Sequence, residues 1–304
     1  MAGQNKKWQV IEVLKEAGRY LNDRGIENPR LNAERILAHV LKLSRIELYL
    51  HFEEIIRQNE REIYKTMLRD RAEHRPLQYI LGETAFHEVT LEVNESVLIP
   101  RPETEILVET AVQMAGRVFG NETIQCLDIG TGSGNIAIAV TRAISGLRCT
   151  AIDVSEAALR TAASNAVKNE VDDRIVFQAV DIMDGSSGDS VKGPFHMILS
   201  NPPYVTESEY DMLPEDIRMY EPAVALKAGS DGLDFYRRYA QLLPDLFSNK
   251  GLALFEIGET QGSAVCTIFR SGGFNNLKII KDYSGRDRIV QISHGVNIQD
   301  EENA

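Results

Sequence analysis

Long apolar runs, clustered cysteines and an excess of basic residues are all missing from this sequence of 304 residues. No stretch approaches the roughly 20 apolar residues that a membrane-spanning helix needs, and the start, MAGQNKKWQV, lacks the apolar core of a signal peptide. Neither a membrane protein nor a metal site is therefore expected. The three cysteines lack metal-ligand spacing and are predicted to be small buried side chains in a reducing cytoplasm: Cys126, Cys149 and Cys266.

The charge balance argues against general affinity for nucleic acid. The formal net charge is -12, whereas such affinity needs clustered Lys and Arg. Residues 1–76 hold 15 Lys and Arg against 12 Asp and Glu, and the remaining residues hold 18 against 33. The first segment therefore carries +3 and the rest -15. This asymmetry favours two modules, although a slightly basic helical surface is the simpler explanation.

Residues 1–76 are predicted to form a small helical domain. Apolar residues recur at helical spacing in several stretches, and the sequence DRGIENP interrupts the first of them. Ser44 and Glu47 match a capping box that opens a short helix. No residue here shows a catalytic pattern, and small helical modules usually recognise partners or cover an active site. We therefore predict a substrate-recognition domain.

Residues 77–100 are predicted to connect this domain to a second one. The stretch RPLQYILGETAFHEVTLEV alternates apolar and polar residues around Gly82, which predicts a pair of strands or an extended connector. In the following VLIPRPETEILVETAVQMA, two prolines predict a rigid loop, and a helix is expected to begin at Glu103 or Thr104. The position of this loop between two modules suggests a hinge or a wall of an active site.

Residues 101–292 alternate predicted strands with helices, and residues 293–304 are predicted to be a flexible tail. The apolar segments TIQCLDI, RCTAID, RIVFQAVDIM, FHMILS, GLALFEIG, LKIIKDY and RDRIVQISH are the candidate strands. Such alternation predicts an α/β fold with a mostly parallel, doubly wound sheet. Ligands of these sheets bind at the carboxyl ends of the strands, where the strand order reverses.

Glycines and acids stand at those strand ends. Gly130, Gly132 and Gly134 form G-x-G-x-G between a strand and a helix, which fits a dinucleotide site, a nucleoside site or merely a tight loop. Asp153 ends the next strand, where its carboxylate can accept hydrogen bonds from two ribose hydroxyls. Asp181 ends the third, near the expected position of an adenine ring. A single acid after a strand would be explained by a helix cap. Here three successive strands each end in a residue that suits a nucleoside ligand, which favours a binding site.

The residues around the glycine turn favour a cationic cofactor over a phosphate. A dinucleotide site has its third glycine one position later, and a P-loop has Lys followed by Ser or Thr where Asn135 and Ile136 stand. Asp128, just before the glycines, would repel phosphate but suits a positive charge. S-adenosylmethionine carries a sulfonium, an amino group and a ribose that an acid can bind. The pattern therefore predicts a methyltransferase.

The stretch SNPPYV, residues 200–205, predicts how a substrate is held. Two prolines restrict the backbone around Asn201. A planar amide or exocyclic amine is a poor nucleophile because its lone pair is delocalised, so an enzyme must use positioning and electrostatics rather than a strong base. The Asn201 oxygen and the Pro202 carbonyl can accept its two N–H groups, and Tyr204 can pack against it. The alternative is a proline turn without chemistry.

Several motifs together resemble known enzymes. The glycine turn with NPPY resembles amino-methyltransferases, which include adenine-N6 DNA methyltransferases and glutamine-N5 protein methyltransferases. The segments RPLQYILGE, VLIPRPETE, LDIGTGSGNIAIA, SNPPYV, EPAVALKAGSDGLDFY and GRDRIV, in this order, resemble the HemK-like peptide chain release factor glutamine methyltransferases. The resemblance implies a small helical N-terminal domain, a hairpin linker and a seven-stranded Rossmann-like methyltransferase sheet whose last strand is antiparallel. It also implies methylation of the glutamine in the Gly-Gly-Gln loop of bacterial class I release factors, in the cytoplasm.

The same resemblance implies the site residues. Arg101 and Glu103 would wall the site, Glu221 and Glu256 would orient it, and Ile182 stands where the family often has an aromatic residue. The implied catalytic residues are Asn201, Pro202 and Tyr204. The implied substrate contacts are Asn201, Pro202, Pro203 and Tyr204, and the implied cofactor contacts are Gly130, Thr131, Gly132, Ser133, Gly134, Asp153, Asp181, Ile182 and Asn201.

Other functions remain open at this point. An adenine-N6 DNA methyltransferase would use the same loop on a flipped base, but it should carry a region with basic clusters, which the -15 segment lacks. A glutamine methyltransferase of a ribosomal protein would share the motif. A regulator that binds the cofactor without catalysis would not need the complete Asn201 loop.

Overall fold

The computed structural model describes residues 7–185 and 191–296, which fall into two compact units. One unit contains the chain up to Gly82 together with Pro214–Tyr220, and the other contains Glu83–Leu213 and the chain from Glu221 onward. The first unit therefore extends six residues beyond the predicted boundary at residue 76. It also recruits a segment from within the stretch predicted to be the second domain.

The first unit is helical because its apolar residues recur at the spacing that places them on one face of each helix. Ser44 caps one helix as predicted, since its hydroxyl accepts from the Glu47 N–H at 3.2 Å and the Glu47 carboxylate accepts from the Ser44 N–H at 2.6 Å. In the later segment, the Tyr220 hydroxyl donates to the Glu73 carbonyl at 2.8 Å. The helices are α1 Val10–Asn22, α2 Pro29–Leu41, α3 Arg45–Leu50, α4 Gln58–Ala72, α5 Leu77–Leu81 and α10 Glu215–Tyr220.

Helix α5 corrects the prediction of strand or extended chain from residue 77. Pro76 stands just before the helix, where its missing N–H costs nothing, and Gly82 ends the helix with φ +77°. The alternation of apolar and polar residues could not distinguish one helical turn from a strand. The predicted strand pair begins later, at Glu83.

The second unit begins with a two-stranded antiparallel hairpin and continues into a seven-stranded sheet with flanking helices. Helix α6 begins at Pro102 rather than at Glu103 or Thr104, because proline suits the first helical position. The hairpin is β1 Glu83–Phe86 and β2 Val89–Glu92. The sheet strands are β3 Ile124–Ile129, β4 Leu147–Asp153, β5 Ile175–Ala179, β6 Phe195–Ser200, β7 Phe247–Glu256, β8 Leu277–Lys281 and β9 Asp287–His294, and the helices are α6 Pro102–Val118, α7 Asn135–Ala143, α8 Glu156–Lys168, α9 Glu207–Tyr210, α11 Asp234–Leu246 and α12 Gly262–Ser271.

The sheet has the order β5-β4-β3-β6-β7-β9-β8. Strands β3 to β7 pair in parallel, and β9 is antiparallel to both β7 and β8. This confirms the predicted doubly wound α/β sheet with an antiparallel last strand. Two apolar clusters cover its two faces. The order reverses between β3 and β6, and this reversal opens a crevice at their carboxyl ends.

Two predicted boundaries within this unit need correction. Strand β5 ends at Ala179, so Asp181 lies two residues beyond the strand rather than at its end. Strand β9 continues to His294, so the first two residues of the predicted tail belong to the sheet. The remainder of that tail from residue 297 onward lies outside the described residues.

All three cysteines are buried and unbridged, as predicted, with Cys126 and Cys149 side by side on β3 and β4. Within the described ranges, no helix combines the length and the apolar character needed to cross a membrane.

Candidate active site

The glycine turn joins β3 to α7 and uses its glycines for two purposes. Gly130, Gly132 and Gly134 have φ of +72°, +55° and +83°, which side chains disfavour. A Cβ on either of the first two would meet nothing within 4 Å, so the backbone there is open to a ligand. A Cβ on Gly134 would lie 2.8 Å from Ile138 Cδ1 and 3.2 Å from Ala162 Cβ. The third glycine therefore serves the packing of α7 against α8.

Asp153, the last residue of β4, braces this turn. One of its carboxylate oxygens accepts from the Gly132 N–H and the other from the Ser155 N–H, both at 2.9 Å. The cap of α8 is a different residue, because the Ser155 hydroxyl accepts from the Ala158 N–H at 3.2 Å. A carboxylate has about four acceptor positions, so Asp153 keeps capacity for a ligand's hydroxyls.

Asp128 supports the turn from behind and does not line the cavity. It is fully buried, and its Oδ2 accepts from the Thr131 hydroxyl at 2.6 Å and from the Ala137 N–H at 3.2 Å. Burial raises the pKa of Asp128 to about 7, and the nearby Asp153 carboxylate acts in the same direction. Asp128 therefore holds the glycine turn, while the expectation that its charge suits a cationic ligand stays a prediction.

The SNPPYV loop leaves β6 and is held by side chains from distant parts of the second unit. Asn201 Nδ2 donates to the Thr104 hydroxyl at 3.0 Å, and that hydroxyl donates to Glu256 at 2.7 Å. The Tyr204 hydroxyl lies 3.5 Å from the other Glu256 oxygen, and Gln261 Nε2 donates to the Tyr204 carbonyl at 3.1 Å. These bonds hold the loop at both its ends.

A cavity of about 290 Å³ lies at the carboxyl ends of the strands, in the second unit. Its size is close to the lower end of the range for small-molecule sites, roughly 300–1,000 Å³. Two of the predicted site residues, Gly134 and Tyr204, are not among its lining residues. The predicted residues that do line it are Gly130, Thr131, Gly132, Ser133, Asp153, Asp181, Ile182, Asn201, Pro202 and Pro203.

Apolar side chains that sequence reasoning missed complete the cavity. Val154 and Met183 line it although 52% and 39% of their surfaces are exposed. Phe235 and Tyr239 of α11 line another part. Val154 directly follows the strand-end Asp153, Met183 ends the candidate strand segment RIVFQAVDIM, and Phe235 lies in the family segment EPAVALKAGSDGLDFY, but none of the three was assigned to the site. The residues of α11 lie more than 100 positions after the glycine turn, and no local pattern links them to it.

Arg101 lines the cavity as expected. The acidic residues predicted to wall or orient the site do not line it. The Arg101 guanidinium lies 2.7 Å from Glu221 Oε1, and Glu221 Oε2 accepts from the Ile99 N–H at 3.1 Å. Glu103 and Glu256 do not line the cavity. Glu221 therefore fixes the loop that carries Arg101.

Comparison with known proteins places these features in one family. The model of the PrmC N-terminal domain matches residues 12–82, and the methyltransferase small domain matches residues 103–220. A release factor glutamine methyltransferase from Chlorobaculum tepidum is 39% identical over 94% of this chain and 97% of its own length. One from Rhodopirellula baltica is 35% identical over 94% and 96%. The chain belongs to the release factor glutamine methyltransferase family.

Membership of this family makes the protein a methyltransferase, as the glycine turn and the SNPPYV loop predicted. The solved structure of a methyltransferase from Pyrococcus furiosus has the same fold, with a TM-score of 0.50 and 19% identity over 70% of this chain and 92% of that one. The PrmC N-terminal match ends at Gly82, the residue at which the N-terminal segment of the first unit also ends.

Proposed function

We propose that this protein transfers a methyl group from S-adenosylmethionine to the side-chain amide nitrogen of the glutamine in the Gly-Gly-Gln loop of bacterial class I release factors. The observation that carries this proposal is the position of Asn201, which lines the same cavity as Gly130, Gly132 and Asp153. A side-chain amide that can hydrogen-bond another amide, next to the glycine turn that would bind the cofactor, suits an amide substrate. Family membership favours a release factor over a ribosomal protein or DNA.

The residues of the cavity fit the cofactor. S-adenosylmethionine supplies an electrophilic methyl group on a sulfonium when it is bound. Asp153 would accept hydrogen bonds from the ribose hydroxyls, and Ile182, Val154 and Met183 would offer apolar surface to the adenine ring. The Ser133 hydroxyl is buried and has no hydrogen-bond partner among the described residues, which supports a polar ligand group at this position.

The substrate amide would be aimed rather than deprotonated in advance, and it would lose one N–H proton to solvent only after its nitrogen has accepted the methyl group. Asn201 Oδ1 and the Pro202 carbonyl would accept its two N–H groups and hold its nitrogen toward the methyl donor. Two acceptors also favour the transition state, in which the nitrogen becomes positive and its N–H groups donate more strongly. Tyr204 does not line the cavity, so its assignment as a substrate contact depends on its place in the motif. Pro203 would keep the loop rigid.

The first unit would recognise the protein substrate. Its match to the PrmC N-terminal domain and its lack of a catalytic pattern support this role. Because residues 77–304 carry a net charge of -15, we expect no direct binding of nucleic acid. The reaction would take place in the cytoplasm, where release factors act.

The function can be tested with competing substrates. The enzyme is incubated with methyl-labelled cofactor and, separately, with an intact release factor, the same factor with its Gly-Gly-Gln glutamine replaced by alanine, a ribosomal protein and DNA. We expect label only in the intact release factor. Labelling of the alanine variant, or stronger labelling of ribosomal protein or DNA, would contradict the proposal.

We predict that Asp153→Ala weakens binding of S-adenosylmethionine by roughly 1–3 kcal/mol, the usual loss for a charged hydrogen-bond acceptor, or roughly 5- to 150-fold in Kd. The change also removes the two acceptors that hold Gly132 and Ser155. Calorimetric titration measures the affinity, and a melting curve checks folding. Asp153→Asn keeps one acceptor oxygen, so its affinity for the cofactor should lie between those of the wild type and Asp153→Ala. An unchanged affinity in Asp153→Ala would remove this residue from the ribose site.

A further inference from the structure

Asn201, Thr104 and Glu256 form one chain of hydrogen bonds that continues from the cavity wall into the interior. Asn201 Nδ2 lies 3.0 Å from Thr104 Oγ1, which lies 2.7 Å from Glu256 Oε2. Thr104 is completely buried on α6, and Glu256 is 1% exposed at the end of β7. Water therefore cannot substitute for either neighbour of the Thr104 hydroxyl.

The chain has a direction, because a threonine hydroxyl has only one proton. When Glu256 is ionised, its carboxylate accepts and cannot donate, so Thr104 must donate to it. Its oxygen is then left to accept, and only the NH₂ end of Asn201 can donate to it. The shape of an asparagine does not distinguish its oxygen from its nitrogen, so the hydrogen-bond network decides which end faces which way.

We propose that Thr104 and Glu256 are positioning residues that fix the Asn201 amide with its NH₂ toward Thr104 and its oxygen toward the substrate. This inference rests on the proposed function, in which the Asn201 oxygen accepts from the substrate amide. In the opposite orientation, the Asn201 NH₂ would meet the substrate N–H, and two donors cannot form a hydrogen bond.

Charged and polar groups face Glu256 from several elements of the second unit. Arg288 on β9 favours its ionised form, Glu103 on α6 opposes it, and the Tyr204 hydroxyl lies 3.5 Å away. The Tyr236 hydroxyl donates to the Glu256 backbone carbonyl at 2.8 Å. Burial is the largest effect and raises the pKa of Glu256 to about 7.

Protonation of Glu256 would release this constraint. A neutral Glu256 can donate to Thr104, and the Thr104 hydroxyl can then donate to the oxygen of Asn201 after the amide rotates. Because the pKa is raised, the neutral form dominates below about pH 7 and the ionised form above it. We therefore expect kcat to fall as the pH drops through about 7.

The kinetic test uses matched variants at saturating cofactor. At pH 8, Glu256→Gln and Thr104→Val should each lower kcat by at least about 10-fold and leave the Kd for the cofactor within about twofold. Thr104→Ser keeps the hydroxyl and should restore most of the turnover lost in Thr104→Val. The control is Thr141→Val, which removes a completely buried hydroxyl that has no hydrogen-bond partner among the described residues and does not line the cavity.

The pH profile separates positioning from a purely structural role. The wild type should lose about tenfold in kcat from pH 8 to pH 6, and Glu256→Gln should lose almost none. The proposal would be overturned if kcat of Glu256→Gln fell from pH 8 to pH 6 as much as that of the wild type. It would also be overturned if the turnover of Thr104→Val were within about twofold of the wild type. Loss of stability alone would lower the kcat of both variants at every pH, and kcat would still fall toward acid pH as in the wild type.

A second readout needs no catalysis. In the free protein labelled with ¹⁵N-asparagine, the side-chain NH₂ signal of Asn201 is assigned by its absence in Asn201→Asp and followed from pH 5.5 to 8.5, which brackets the expected pKa. It should shift with a midpoint near 7, and the shift should disappear in Glu256→Gln. A flat signal in the wild type, or a shift that persists in Glu256→Gln, would refute the coupling. If the wild type methylates no release factor, the proposed function fails while this titration still decides the inference.

Discussion

Asn201→Ala is expected to lower the turnover of a release factor at saturating cofactor by at least about 100-fold. The change removes the oxygen that would accept a substrate N–H, and an unpaired polar group in a partly dry site costs roughly 1–3 kcal/mol. Misalignment adds to this loss, because small displacements of a reacting atom can cost about 100-fold. The same change removes the donor to Thr104, so the loop also loses its tie to α6.

Single-turnover methylation is the measurement, together with a melting curve and a cofactor titration. Asn276→Ala is a suitable control, because Asn276 is an exposed residue of the same unit whose side chain donates to a backbone carbonyl away from the cavity.

Asn201→Asp keeps the shape but loses the donor to Thr104 and adds negative charge. It should bind the cofactor at least as well as the wild type and still turn over slowly. Near-normal turnover of Asn201→Ala would mean that SNPPYV is only a proline turn.

Gly232→Ala is expected to destabilise the second unit by roughly 2–6 kcal/mol and to lower turnover by at least about 10-fold. Gly232 has φ +73°, a conformation that costs other residues about 1–3 kcal/mol. An added Cβ would overlap the Tyr204 carbonyl oxygen and lie 2.7 Å from Gln261 Nε2, and overpacking costs about 1–3 kcal/mol more. The Tyr204 carbonyl accepts from Gln261, so relief of the clash must move the SNPPYV loop, which is proposed to hold the substrate.

Gly285→Ala separates strain from clash. Gly285 has φ +80°, but a Cβ there would meet nothing within 4 Å. This variant should lose only the 1–3 kcal/mol of backbone strain and keep its turnover. Urea unfolding gives the two stabilities, and the same methylation assay gives the two rates. Equal losses of stability and equal rates in both variants would show that the space around the Tyr204 carbonyl does not control the loop.

Local patterns in the sequence were sufficient for the architecture of the second unit. Short apolar runs predict strands wherever both faces of a sheet are covered, and a glycine turn between strand and helix depends only on neighbouring residues. Asp153 and Asn201 could be found because residues that follow parallel strands meet at one edge of the sheet. The same logic placed Asp181 in the cavity, although it misjudged the end of β5.

Features that depend on distant pairings were decided only by the tertiary structure. Thr104 and Glu256 are 152 residues apart, and only the packing of α6 against the sheet brings the hydroxyl to the carboxylate. The clearance between Gly232 and Tyr204 likewise depends on how two loops pack. Pro214–Tyr220 belongs to the first unit although its neighbours in the chain belong to the second. Periodicity and motif spacing describe residues that are close in sequence, whereas the orientation of the Asn201 amide depends on hydrogen bonds between residues that only the folded chain brings together.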